Sequence, residues 1–169
     1  MNEAALAHGR GMLGLGNAQA ARLIALLLPL ALLGGALGSQ YLGGLHPCEM
    51  CYWQRWPHGV AILLAAGAFT APAGSSRSRM LTLLAALAIA ISGAIGVYHA
   101  GVEAGIFQGL TSCSTTGATS FEDLMKVPLV RCDQVQWSLF GISMAGWNAI
   151  VSLAGAALVQ ILSLKGRRA

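Results

Sequence analysis

Charge is what this chain has least of: 9% of its 169 residues are Asp, Glu, Lys or Arg, against 56% that are hydrophobic. So little polar surface excludes a soluble globule of this size and makes a lipid bilayer the natural solvent. The net charge of +4 does not signal a nucleic-acid partner, because the ten Lys and Arg stand singly or in pairs and form no basic stripe. Cysteine is scarce as well, with four in all. Nicotinamide- and flavin-binding glycine motifs are absent, so those cofactors are not expected. The length suggests one domain, and roughly 20 apolar residues per span leave room for a small helical bundle with one sizeable loop.

What the chain does have is long apolar runs. They predict an all-α membrane protein, a four-helix transmembrane bundle with a long periplasmic loop between helices 3 and 4. Residues 1–21 are Ala- and Gly-rich and are expected to form a loose cytoplasmic tail. Residues 22–164 form one transmembrane domain with spans at about 22–42, 53–70, 80–101 and 141–164, and 165–169 form a short cytoplasmic tail. In the first span Pro29 should introduce a kink, and Gly34 and Gly38 make a small-xxx-small face suited to close helix contact. The second span is the shortest apolar run, Val60 to Phe69, and needs Trp53 and Trp56 as its outer turn. Pro57 is then acceptable only if the helix begins within about a turn before it, and Arg55 would snorkel toward the headgroups.

Orientation follows from the basic residues. Arg10, Arg22, Arg77, Arg79, Lys165, Arg167 and Arg168 fall on one side, while Arg55, Lys126 and Arg131 fall on the other with Glu49, Glu103, Glu122, Asp123 and Asp133. Both termini are therefore expected in the cytoplasm. In the long outer loop, Ser120 and Asp123 resemble a capping box, and Phe121, Leu124 and Met125 would share one face of a short surface helix.

This topology puts Cys48, Cys51, Cys113 and Cys132 on the outer side. Thiols there meet an oxidising compartment, so two disulfides are favoured over a metal site, and no metal is expected. A four-cysteine zinc site would ordinarily show two close-spaced pairs, and only one pair is close here. The contrary readings are a metal-binding subunit, or a structural membrane subunit with two stabilising disulfides. The segment Cys48-Glu49-Met50-Cys51 favours redox exchange, because two close sulfurs allow fast intramolecular release. Cys51 lies at the positive end of the second helix with Arg55 one turn on, and both features stabilise a thiolate. Such a cysteine at the membrane boundary is well placed to meet a lipid-soluble electron acceptor.

The segments PCEMCYWQR, YHAGVE and CDQVQWSLFGISMAGWN, with the cysteine pair flanking the outer loop, resemble the disulfide bond formation protein B (DsbB) family over about residues 22–164. The resemblance implies a four-helix membrane oxidoreductase that reoxidises a periplasmic DsbA-like thioredoxin-fold protein and passes electrons to the membrane quinone pool, as ubiquinone or menaquinone. By position, Cys48 and Cys51 resemble the quinone-proximal pair, Cys113 and Cys132 the pair that exchanges with DsbA, and Arg55 the arginine of the quinone site. His99 is similar to a histidine expected near a quinone carbonyl. Two departures stand out: the loop between Cys113 and Cys132 is shorter than in the best-known members, and Gln54 stands where many carry an acidic residue. A reductase of the vitamin K type, running electrons backward, differs in the context of its CxxC. The residues themselves assign no role to His46 or His58, and Trp53, Trp56, Trp137 and Trp147 read first as an aromatic belt or bundle packing.

Overall fold

The computed structural model describes residues 16–109 and 130–165. Four long helices carry it: α1 (Asn17–Tyr41), α2 (Glu49–Ala68), α3 (Ser76–Glu103) and α4 (Met144–Lys165). A two-stranded antiparallel hairpin, β1 (Ser138–Leu139) and β2 (Ile142–Ser143), leads into α4. Helices α1, α3 and α4 are long and apolar enough to cross a membrane. The fourth, α2, has the length at 20 residues, or about 30 Å. Its first turns, however, carry Glu49, Gln54, Arg55 and His58.

Each helix buries one stripe. In α2 it runs Met50, Gln54, His58, Ala61, Ala65 and Ala68, and in α3 it includes Ala85, Ala86, Ile89, Ser92, Gly93, Gly96 and His99. Steps of three and four residues keep such positions on one face. The stripes are mostly alanine, glycine and serine, which lets helix backbones approach closely where lipid offers no hydrophobic drive for association. The lower core gathers Ala21, Ala25, Ala61, Ala65, Ala85, Ile89, Ala156 and Val159. Leu63, Leu87, Ile150 and Ile161 point outward, as a lipid-facing surface requires. α3 packs mainly against α2 and α4, with α1 closing the bundle.

Several expectations change at this level. The helix begins at Asn17, so the tail expected over residues 1–21 is already helical for its last five residues. Ala21 is buried, and Arg22 stacks 4.5 Å over the Phe69 ring and donates to the Ala71 carbonyl at 3.2 Å, which ties the start of α1 to the α2–α3 turn. α2 runs for two turns ahead of Pro57, because Cys48 caps it at its N-terminus; α1 runs unbroken through Pro29. Residues 141–143, placed in the fourth span by hydropathy, form the hairpin turn and β2. The turn has positive φ at Phe140 (53°) and Gly141 (78°), the geometry a two-residue hairpin needs. The all-α reading thus gains one short hairpin. The expected loop helix, residues 120–125, lies outside the described residues.

The close helix contact is also elsewhere. A Cβ on Gly34 or Gly38 would meet nothing within 4 Å, whereas one on Gly96 would lie 3.0 Å from the Ala145 carbonyl oxygen and 3.1 Å from the Ala149 nitrogen. Gly96→Val should therefore destabilise the bundle by about 1 to 3 kcal/mol through overpacking against backbone, and Gly34→Ala by almost nothing. Unfolding in mixed detergent micelles measures both; equal stability of the two variants would place the tight α3–α4 contact elsewhere.

Candidate active site

The upper end of the bundle is built around Cys48. It occupies the cap position of α2 with extended backbone, and its sulfur accepts from the Cys51 backbone N–H at 3.3 Å. A capping residue and the residue three places on face each other, so the C-x-x-C spacing itself brings the two sulfurs together, 2.8 Å apart. Cys48 is buried and Cys51 half-buried. Both precede the membrane-spanning part of α2 expected from residue 53. A hydrogen bond from Cys48 holds the Cys51 thiol below the ordinary thiol range, burial opposes this, and the Arg55 charge adds to it. The same hydrogen bond, together with burial, pushes Cys48 far upward.

His99, on α3, brings its Nε2 to 3.5 Å from Cys48 Sγ and 3.8 Å from Glu103 Oε1. Its Nδ1 lies 2.8 Å from the Gln54 amide nitrogen. Arg55 does not snorkel. It turns inward to Gln40 Oε1 and the Ala36 carbonyl on α1, with its guanidinium 5.2 Å from the Tyr52 ring. Among the described residues the ion pairs are His99–Glu103 and Arg131–Asp133, so no described carboxylate neutralises Arg55.

Cys132 is buried in one apolar cluster with Cys48, Met50, Val102 and Val130, and Cys51 packs against it. It is close enough for charge on it to act on Cys48, and its backbone is a hydrogen-bond partner of His99. Beside it the Arg131–Asp133 pair holds the exposed Asp133 carboxyl below its ordinary range. Cys113 lies outside the described residues. Three of the four cysteines singled out from the sequence thus meet at one point, with Arg55 and His99 adjoining.

These groups open onto a cavity of about 470 Å³ between α1, α2 and the start of α4. Leu32, Leu33 and Ala36 of α1, Met144, and Trp137 and Trp147 give it apolar walls; Cys51, Arg55, His99 and Glu103 supply the polar groups. That volume lies in the range of small-ligand sites. Trp53 and Trp56 stay on the outer surface, where an aromatic belt belongs.

Sequence reasoning missed a buried polar network behind the cysteines. Gln54, His58, Ser92, Asn148 and Ser152 hydrogen-bond one another across α2, α3 and α4. A signal was present: Gln54 and His58, and likewise Asn148 and Ser152, are i,i+4 polar pairs at or within apolar spans, where a polar residue needs a partner. Cys48, Cys51 and His99 place their ligand atoms within 4.8 Å of one another, a spacing a soft cation could bridge. Gln54 opposes that use, because donating to Nδ1 leaves the proton on Nε2 and no lone pair toward the sulfurs.

Residues 18–162 match the family model described as disulfide bond formation protein DsbB. Among curated proteins, a disulfide bond formation protein B from Chromohalobacter salexigens is 30% identical over 155 residues, covering 84% of this chain and 86% of that protein. Disulfide bond formation protein B 1 of Pseudomonas aeruginosa is 28% identical over 83% of this chain and 92% of its own length. A disulfide bond formation protein B of Xanthomonas campestris is 27% identical over 86% and 91%. No solved structure matches the chain.

Proposed function

Because the chain belongs to the disulfide bond formation protein DsbB family, we propose that it is a thiol:quinone oxidoreductase that reoxidises a periplasmic DsbA-like protein. The observation that carries this reading is that Cys48 and Cys51 together line the 470 Å³ cavity while Cys48 shares a buried cluster with Cys132, against which Cys51 also packs. One pair thereby adjoins both a cavity of small-ligand size and a cysteine that follows the outer loop. In the net reaction two thiols of the partner become a disulfide, and two electrons and two protons reduce a quinone, ubiquinone or menaquinone, to the quinol.

The steps on this chain are thiol–disulfide exchanges. The partner's thiolate attacks the Cys113–Cys132 disulfide, and release of the oxidised partner leaves both loop cysteines reduced. Cys132 then attacks Cys48, with which it shares a buried cluster, and Cys51 leaves as a thiolate stabilised by Arg55 and by the positive end of α2; Cys113 next attacks Cys132, which restores the loop disulfide, expels Cys48 and leaves the pair reduced. The cavity fits a quinone ring in its apolar walls and in Arg55, the cation on its lining that no carboxylate among the described residues neutralises, which suits a developing oxyanion. The acceptor has to be strongly oxidising, since a DsbA-type partner is itself poised near about −120 mV.

Detergent-purified protein should oxidise a reduced DsbA-like protein catalytically only when quinone is supplied. Arg55→Ala should keep the fold and raise the quinone KM by about 1 to 3 kcal/mol equivalent, roughly 5- to 150-fold. Quinone-independent turnover would overturn the reading, and an unchanged KM in Arg55→Ala would leave that arginine as an anchor between α1 and α2. The inner-membrane location follows from the family reading, and the orientation, with both termini cytoplasmic, rests on the distribution of basic residues. An alkaline phosphatase fusion at Ser76 should be inactive, and an active one would reverse the topology.

A further inference from the structure

The buried network behind the cysteines has a direction. His58 Nδ1 is buried without a partner, so the ring proton belongs on Nε2, which lies 2.9 Å from Asn148 Oδ1. A proton on Nδ1 would be a buried orphan donor, the costlier arrangement. With its oxygen taken by His58 and by Ser152 Oγ at 3.0 Å, Asn148 turns its amide nitrogen to Gln54 Oε1 at 2.8 Å. That contact fixes the Gln54 amide in turn, and its nitrogen donates to His99 Nδ1 at 2.8 Å and to the Met50 carbonyl at 3.2 Å. With Nδ1 an acceptor, His99 carries its proton on Nε2, between the Cys132 backbone and Cys48 Sγ at 3.5 Å, and Cys48 lies 2.8 Å from Cys51. The links from Asn148 to Gln54 and from Gln54 to His99 donate the same way, from α4 toward the sulfurs.

We propose that Asn148 and Gln54 are positioning residues for the redox pair: they lock His99 as the Nε2–H tautomer, which donates to Cys48, so that Cys48 donates to Cys51 and the negative charge of the reduced pair rests on Cys51. This rests on the thiol-redox reading of the pair. Aligned hydrogen bonds polarise one another in a low-dielectric interior, so a residue two or three links away can act on the terminal sulfur. Among the described residues, the titratable groups around Cys51 are Arg55 and His58 on its own helix, Tyr98, His99 and Glu103 from α3, and Cys48, His46 and Cys132 from the adjoining segments. The cavity-lining parts of α1 and α4 contribute none. Arg55 favours the charge on Cys51 and Glu103 opposes it. The chain therefore adds to the arginine instead of replacing it.

The test uses the full-length protein, reduced, in detergent, without quinone or partner, so its outcome does not depend on which acceptor the enzyme uses. With 15N-labelled histidine, the ring nitrogens of His99 should report Nε2–H in the native chain. Gln54→Glu should switch it to Nδ1–H, because a carboxylate at that position can only accept. Alkylation of Cys51 by iodoacetamide at pH 7 should slow about fivefold in Gln54→Met, the loss of one neutral hydrogen bond from the chain, and by a smaller factor in Asn148→Leu. An Nδ1–H tautomer in the native reduced protein, or Cys51 reactivity unchanged in folded Gln54→Met, would overturn the proposal. The first of these needs no variant. Failure of quinone reduction with an Nε2–H tautomer present would instead strike the proposed function alone.

Discussion

Cys51→Ser should stop turnover outright, with a loss on the order of a thousandfold or more, because Cys48 alone cannot cycle between dithiol and disulfide. Cys48 lines the same cavity as Cys51 but is buried, and Cys132 lies in the buried cluster with it. The variant should nevertheless oxidise one equivalent of a reduced DsbA-like protein through the Cys113–Cys132 disulfide and then stall. Rapid-mix thiol trapping with the partner in excess would show a single stoichiometric burst. Sustained turnover of Cys51→Ser in the presence of quinone would refute the relay and make the loop pair the direct reductant.

The second large effect concerns the route between the pairs. A chain carrying Cys51→Ser and Cys113→Ser keeps Cys48 and Cys132, which share one buried cluster, and it should form an intramolecular Cys48–Cys132 disulfide under mild oxidation. The companion with Cys48→Ser and Cys113→Ser keeps Cys51 and Cys132 and should crosslink about tenfold more slowly or less, since exchange depends on which sulfur is within reach. Non-reducing peptide mapping over an oxidation time course reads both. Equal rates would mean that the crossing is not made through Cys48.

The choice of Gly96 over Gly34 for the stability experiment shows where sequence reading ran out. Gly34 and Gly38 carry the motif that sequence alone would select for a helix contact, yet they face open space, while Gly93 and Gly96 meet α4. Arg55 is similar: a lone arginine near a membrane boundary reads as a snorkelling charge, but Gln40, 15 residues earlier on another helix, draws it inward. The hairpin at residues 138–143 escaped as well. Its Phe140-Gly141 turn lacks the Asn-Gly or Asp-Gly signal of such turns, and its strands are two residues each.

From sequence alone came the membrane class, the helical bundle, the resemblance now matched over residues 18–162 and the nearness of Cys48 to Cys51. Hydropathy and charge accumulate along a chain, and a cap position lies within one turn of its partner, so these properties need no knowledge of the neighbours. Tertiary structure decided that both sulfurs line a cavity, that Cys132 joins them, and how the buried hydrogen bonds connect. Gln54 and Asn148 stand 94 residues apart and find each other only when α2, α3 and α4 pack. A buried polar group must be satisfied, but which group satisfies it depends on distances in space, and local spacing carries no record of them.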